Sequence, residues 1–151
     1  MSDITFRTAT EADLPAIVAM LADDDIAEGR ENASVPDHYR EAFAAMAKEV
    51  FNKMLLAEQD AKIVGSLQIV FMPGVSRNGT KRAIIESVRV RSASRGQSIG
   101  TALMKEAIRL AREGGCGLIQ LDSDLRRPRA HLFYRRLGFV QSHAGFKKEL
   151  T

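Results

Sequence analysis

Two periodicities take turns along the chain. "ITFRTA" (4–9) alternates as a short strand does. From Leu14 onward, apolar residues recur at helical spacing, with Leu14, Ile17, Val18 and Leu21 on one face. Thr10 to Asp13, "TEAD", sets a capping box ahead of that helix, with a shorter acid than usual in the last place. "DDDIAEGREN" breaks the pattern and reads as an acidic loop. "PDHYREAFAAMAKEV", with proline near its start, predicts a second helix. "NKMLLAEQDAKIVGSLQIVFM" predicts a hairpin turning near Gln59 and Asp60. "PGVSRNG" supplies a turn, and "KRAIIESVRV" a further strand.

The strongest helical signal begins at Ile99. Ile99, Leu103, Met104, Ala107, Ile108, Leu110 and Ala111 fall on one side, and Thr101, Lys105, Arg109, Arg112 and Glu113 on the other. Gly114 and Gly115 stop it, and "GLIQLD" follows as a strand, so the flanking strands should run parallel with a right-handed crossover. Arg127-Pro128 opens a last helix whose Ala130, Phe133, Tyr134 and Leu137 share a face and which Gly138 ends. "FV" and "GFKKEL" are expected to close the sheet. The order is a βαα lead, a β-meander and a βαβαβ unit. It predicts one domain spanning residues 1–151, of α/β class, with a mixed central sheet flanked by helices.

Composition narrows this only slightly. The 151 residues are 45% hydrophobic and 27% charged, as in a soluble globular domain. No apolar run approaches the ~20 residues that span a bilayer, and "MSDITFRTAT" lacks the basic and apolar regions of a signal peptide. Cys116, the single cysteine, excludes an internal disulfide. These features predict a cytoplasmic protein without a membrane partner. Charge is polarised: residues 1–75 hold six Lys/Arg against thirteen Asp/Glu, net −7, and residues 76–151 hold sixteen against six, net +10. Such a chain can present one surface to an anion and another to a cation. Nucleic acid is disfavoured as a partner, because the basic residues are not interleaved with aromatics and match no recognition motif.

The stretch "RGQSIGTALM" (95–104) puts small and polar residues and an arginine at the start of the strongest helix. The first turn of a helix carries unpaired N–H groups and partial positive charge. Small residues let a ligand approach that backbone, and an arginine adds a fork of donors matched to phosphate. The combination suits a phosphate or diphosphate. Neither the G-x-G-x-x-G dinucleotide pattern nor a Gly-Lys-Ser/Thr triphosphate loop is present.

"IIESVRV" followed by "RGQSIGTALM" resembles motif A of the GNAT superfamily, the Gcn5-related N-acetyltransferases, and "RPRAHLFYRRLGF" resembles its motif B. The resemblance covers nearly the whole chain in the expected order. It implies a splayed mixed sheet that admits acetyl-coenzyme A (acetyl-CoA) and an acetyl group passed directly to an amine in a ternary complex, without an acyl-enzyme. It implies that Arg95, Gly96, Gln97, Ser98, Ile99, Gly100 and Thr101 hold the diphosphate. Val88, Arg89 and Val90 would receive the pantetheine arm like an added strand. The family pattern Arg/Gln-x-x-Gly-x-Gly/Ala falls on Arg95, Ser98 and Gly100, so Ser98 departs from the usual glycine. Its hydroxyl is available to a phosphate, while its Cβ disfavours positive φ; slightly altered binding is the expectation. Arg127 stands where motif B often has asparagine, exchanging an amide for a guanidinium. The family also implies a homodimer in many cases.

The reaction poses a proton problem. An amine of pKa ~10.4 is almost wholly protonated near pH 7, and the departing thiolate needs a proton back. Glu86 lies two residues before Val88 on the same strand, and alternation puts both on one face unless a bulge intervenes. By resemblance Glu86 is the base, commonly through water; as a plain strand residue it would only bond a neighbour. Tyr134 by pattern alone is a core aromatic, and by resemblance it is the acid for the thiolate. A backbone amide near Val88 is the natural oxyanion donor. Asp23, Asp24, Asp25 and Glu28 either attract a cationic amine or simply solvate a loop. His38, His131 and His143 lack metal-ligand spacing, and no metal is expected. Cys116 has no histidine partner and reads as an inert thiol. The alternatives to an N-acetyltransferase are a non-catalytic acyl-CoA sensor and a basic nucleic-acid-binding protein.

Overall fold

A computed structural model describes residues 3–23, 29–31, 34 and 37–151. Five strands lie in sequence order, β1 (Thr5–Thr8), β2 (Asn52–Gln59), β3 (Lys62–Met72), β4 (Arg82–Val90) and β5 (Leu118–Leu121). All neighbours are antiparallel except β4 and β5, which are parallel, as the intervening helix requires. The β2–β3 hairpin turns at Asp60 and Ala61, one residue beyond the expected centre, both at positive φ (53° and 60°). The helices are α1 (Leu14–Ala22), α2 (Asp37–Ala47), a single turn α3 (Ser76–Gly79), α4 (Ile99–Glu113) and α5 (Pro128–Arg136).

Alternation along β2 splits the core. Leu55 and Ala57 face α4 and join Leu67, Ile69, Ile85, Leu103 and Met104, while Met54 and Leu56 face α1 and α2 and meet Ile17, Phe43 and Met46. Ile99, Leu103, Met104, Ala107 and Ala111 are buried on α4, the face that the periodicity identifies. Each large side chain among them contributes roughly 1.5–3 kcal/mol by leaving water. Gly65 of β3 lets α4 come this close: a Cβ there would stand 3.2 Å from both the Arg89 carbonyl oxygen and Ile99 Cγ2.

Two expectations are corrected. The residues after Gly138 do not close the sheet. Phe139 N–H donates to the Tyr134 carbonyl at 3.0 Å, but residues 139–151 form no strand. The chain leaves α5 through Gly138 (φ +94°), and Gly145 lies beside Asp122, the residue that follows β5. The unit is therefore βαβα within one chain. The second helix is shorter than the pattern suggests, ending at Ala47. Of the acidic loop, Asp24, Asp25 and Glu28 lie outside the described residues.

The capping box forms. The Asp13 carboxylate accepts the Thr10 amide at 2.7 Å and both Arg7 terminal nitrogens at 2.7 and 2.8 Å. Arg7 also pairs with Glu58 of β2. This cluster ties β1, β2 and the entry to α1. The Arg7 guanidinium, aided by the Thr10 amide, holds the Asp13 carboxyl at a pKa of about 2. A carboxylate with a lowered folded-state pKa stabilises the fold above its unfolded value and ceases to do so as pH falls through the folded one. Asp13→Asn should therefore cost about 1–2 kcal/mol at pH 7, a figure discounted because the Arg7 side chain is 42% exposed. Chemical denaturation across pH 7 to 2 should show the difference between variant and parent shrinking below pH 4; a constant difference would contradict it.

Candidate active site

β4 is longer than its parallel neighbour. β5 pairs with Arg82 to Ile85 only, so the sheet opens beyond Ile85 and leaves the far half of β4 without a partner on that side. Within this stretch β4 carries a bulge: Gln68 stands opposite Glu86, and Ser66 opposite Arg89, so Ser87 and Val88 together face Leu67. Ser87 absorbs the extra residue at φ +54°. The bulge corrects the alternation argument. Val88 and Val90 pack against the α4 side of the sheet, whereas Glu86 pairs in register with Gln68, which lines the α1/α2 side. Glu86 and Val88 are on opposite faces.

The turn into α4 supplies donors. Gly96 (φ +81°) and Ser98 (φ +62°) twist the backbone just before the helix. The amides of Gly96 to Thr101 find no acceptor among the described residues. Ser98 takes the left-handed conformation although its Cβ disfavours it, at a cost of roughly 1–2 kcal/mol. The Arg95 backbone borders this turn. Its side chain reaches back, with Nε donating to the Val90 carbonyl and one terminal nitrogen to the Asp23 carbonyl, both at 3.3 Å. Asp23 thus closes α1 against the arginine, its carboxylate 3.6 Å away.

These parts enclose a cavity of about 490 Å³ lined by Val88, Val90, Ser94, Arg95, Gly96, Ser98, Ile99, Gly100, Thr101, Arg129, Ala130, Phe133 and Tyr134. Gly100 is its close point, where a Cβ would stand 3.4 Å from the Phe133 ring and 3.6 Å from Val90. Most of the residues singled out in the sequence meet here. Arg89, Gln97, Arg127 and Glu86 are not in the lining. Arg89 stands in register with Ser66 and donates to the Val88 carbonyl at 2.9 Å. Arg127 caps α5, its amide bonded to the Asp124 carbonyl at 3.0 Å, and the cation that α5 brings to the wall is Arg129, two residues on. Arg129, Ala130 and Phe133 are lining residues that the sequence reading missed or assigned to the core. The helical face of α5 was legible, but not that it faces a cavity.

Tyr134 is half-buried between Phe133 and Phe139, with ring centroids 5.2 and 6.0 Å away. Burial raises its pKa above 10, opposed by the nearby Arg89 and Arg127 charges. The phenol is protonated throughout the neutral range. Burial likewise pushes the Cys116 thiol up, which removes it as a thiolate nucleophile. Among the described residues, no group of three His, Cys, Asp or Glu lies together as a metal site would require. No described helix is long and apolar enough to cross a membrane.

A second cavity, also of about 490 Å³, lies on the other side of the sheet, between α1, α2 and strands β2 to β4. Leu14, Ile17, Val18, Tyr39, Phe43 and Met54 make it largely apolar, and Ser87 and Gln68 form part of its wall. Adjacent bulge residues therefore border different cavities, Ser87 this one and Val88 the one beside α4.

Comparison with known proteins gives this arrangement a family. The profile of the Acetyltransferase (GNAT) family matches residues 18–139. The chain is 31% identical to the aminoalkylphosphonate N-acetyltransferase of Salmonella typhimurium, over 95% of this chain and 90% of that protein. It is 29% identical to the glucosamine 6-phosphate N-acetyltransferase of Trypanosoma brucei brucei, over 91% and 89% respectively. Among solved structures, a transcriptional regulator from Bacillus halodurans C-125 is 45% identical and superposes with a TM-score of 0.94, over 98% of this chain and all of that one. An acetyltransferase from Trypanosoma brucei is 25% identical with a TM-score of 0.77, over 98% and 100%. With a splayed sheet, a donor-rich helix start and a family match over most of its length, the chain belongs to the acetyltransferase (GNAT) family and is an N-acetyltransferase.

Proposed function

We propose that the cavity beside α4 takes acetyl-CoA and that the cavity beneath α1 and α2 takes a small primary amine, the two meeting at the β4 bulge. The observation that carries this reading is the division at residues 87 and 88, where neighbouring residues line the two cavities. It suits direct transfer in a ternary complex and makes an acyl-enzyme unnecessary. The six amides from Gly96 to Thr101, unpaired among the described residues, are matched to a diphosphate, with Arg129 and Arg95 at the wall. The open edge of β4 at Val88 and Val90 is matched to the pantetheine amides, which pair there as an added strand does. Bound there, acetyl-CoA supplies a thioester, whose carbonyl carbon accepts the amine and whose thiolate leaves.

The chain's own residues move the protons. Tyr134, kept protonated by burial, donates its phenolic proton to the leaving sulfur. Glu86 is exposed, without a partner among the described residues, and on the acceptor side of the bulge. It takes the proton of the incoming ammonium, through water. The Val88 amide stabilises the oxyanion. Among the described residues, Glu49 is the only charged one lining the acceptor cavity, which favours a cationic amine. Two relatives act, by name, on a phosphonate and a phosphate-bearing amine, so acceptors of that kind belong in any screen. The working assembly in this reading is a cytoplasmic homodimer that binds neither membrane nor nucleic acid.

A thiol-release screen with acetyl-CoA and a panel of amines, including an aminoalkylphosphonate, glucosamine 6-phosphate, streptothricin and a lysine peptide, should yield free coenzyme A with at least one small amine. Tight coenzyme binding with no thiol release from any amine would favour a sensor instead. Tyr134→Phe should lower kcat at least tenfold while coenzyme A affinity stays within about threefold; unchanged turnover would remove the phenol from the reaction. At position 98, glycine adopts positive φ freely and valine does not. Calorimetry should therefore find coenzyme A affinity within about threefold for Ser98→Gly and at least tenfold weaker for Ser98→Val; equal affinities would show that the turn geometry is irrelevant.

A further inference from the structure

The cavity beneath α1 and α2 has two kinds of wall. Its helical side is hydrocarbon, from Leu14, Ile17, Val18, Phe43 and Met46, with Met54 of β2 facing them. The Tyr39 hydroxyl there is engaged, donating to Glu31 at 3.0 Å. The remaining polar side chains form one strip, Glu49, Asn52, Gln68 and Ser87, which runs from the turn before β2 to the β4 bulge.

The hydrogen bonds of that strip all point one way. Asn52 Nδ2 donates to the Glu49 carboxylate at 3.2 Å, and Gln68 Nε2 donates to Asn52 Oδ1 at 2.8 Å. The Asn52 backbone amide also donates to the Glu49 carbonyl at 3.2 Å, which fixes the turn carrying the acid. With its nitrogen turned toward Asn52, Gln68 offers its oxygen on the other side. Gln68 Oε1 accepts from nothing among the described residues. It belongs to the residue paired with Glu86 and lines the same cavity as Ser87. The Glu49 charge polarises both amides in the same sense, so negative potential gathers at Gln68 Oε1. Such an oxygen accepts an amine N–H and leaves the nitrogen lone pair uncommitted.

The cations are on the other side of the sheet. Arg95 and Arg129 line the cavity beside α4, whereas no Lys, Arg or His among the described residues lines this one. The residues outside the description carry no basic side chain and three acidic ones, Asp24, Asp25 and Glu28. A phosphate or phosphonate placed here would set its charge against hydrocarbon without a partner, at a large cost.

We propose that the acceptor is a primary amine on an uncharged apolar body, an alkyl or aromatic amine, whose nitrogen is held by Gln68 Oε1 beneath the bulge. Asn52 and Glu49 act through Gln68 as positioning residues, fixing which end of its amide meets the amine. The inference rests on the assignment of this cavity to the acceptor. It separates the chain from relatives that act, by name, on a phosphonate and a phosphate-bearing amine.

Calorimetric titration of the coenzyme A-loaded protein with phenethylamine, hexylamine, an aminoalkylphosphonate and glucosamine 6-phosphate tests it, with thiol release from acetyl-CoA measured on the same panel. The two apolar amines should bind at least 30-fold more tightly than either anionic one. Ala42 is an exposed position on the helical wall. Ala42→Lys should narrow that ratio at least tenfold, with coenzyme A affinity within about threefold of the parent. Gln68→Leu and Asn52→Leu should each weaken phenethylamine at least tenfold, raising its KM more than they lower kcat. Asn52→Asp combined with Glu49→Gln still accepts from Gln68 and should restore the affinity, which a mere packing role would not explain. An aminoalkylphosphonate bound by the parent as tightly as phenethylamine would overturn the inference, and thiol released from it would leave the acetyltransferase reading standing. Unchanged phenethylamine affinity in Gln68→Leu or Asn52→Leu would overturn it as well. Selective binding of the apolar amines with no thiol released from any of them would instead overturn the cavity's role in acetyl transfer and leave its selectivity intact.

Discussion

Six consecutive peptide N–H groups without acceptors among the described residues, from Gly96 to Thr101, are the constraint around which the rest of this molecule is arranged. Orphan donors at a helix start need water, a cap or an anion, and here no side chain caps them. They are held in place by burial: Ile99, Leu103 and Met104 anchor α4 on the sheet at 0–1% exposure, so the helix cannot tilt to hide its end. The glycine at 65 lets the helix sit low on β3, and the short β5 leaves the adjoining edge of β4 uncovered. Unpaired amides and an open strand edge thus border one cavity, which a diphosphate with an amide-bearing arm would fill.

The β4 bulge sets what can happen at the end of that arm. Without the extra residue at Ser87, Glu86 and Val88 would share a face, and the proposed base and thioester would compete for one side of the sheet. With it, the strand turns Val88 toward α4 and leaves Glu86 opposite Gln68, on the α1/α2 side. Tyr134 approaches from α5, its proton secured by the same burial that packs its ring between Phe133 and Phe139. In the proposed reaction, acid and base are therefore presented from different layers.

Much of this was legible in the sequence, for physical reasons. The 3.6-residue period of α4 is strong because one face is wholly buried, and the small residues ahead of it mark a backbone meant to be approached. The resemblance to the family's two motifs singled out a set of residues for the cofactor, and most of them line one cavity. What could not be read was whatever depends on register. Neither glycine nor proline marks the bulge, because Ser87 takes positive φ under tertiary constraint, as Ser98 does. Arg129 rather than Arg127 reaches the wall, since the rotation of α5 about its axis follows from packing and not from motif spacing. The tail from Val140 has the alternation of a strand, so its absence from the sheet of its own chain was invisible to periodicity.

The claim that the Gly96–Thr101 amides are the anion site is tested most directly by a ¹H–¹⁵N NMR titration with coenzyme A, read residue by residue and compared with pantetheine, which lacks the diphosphate. The account predicts large downfield amide-proton shifts at Gly96 to Thr101 with coenzyme A, absent with pantetheine, while Val88 and Val90 respond to both. Unmoved amides across that turn at saturating coenzyme A would contradict it.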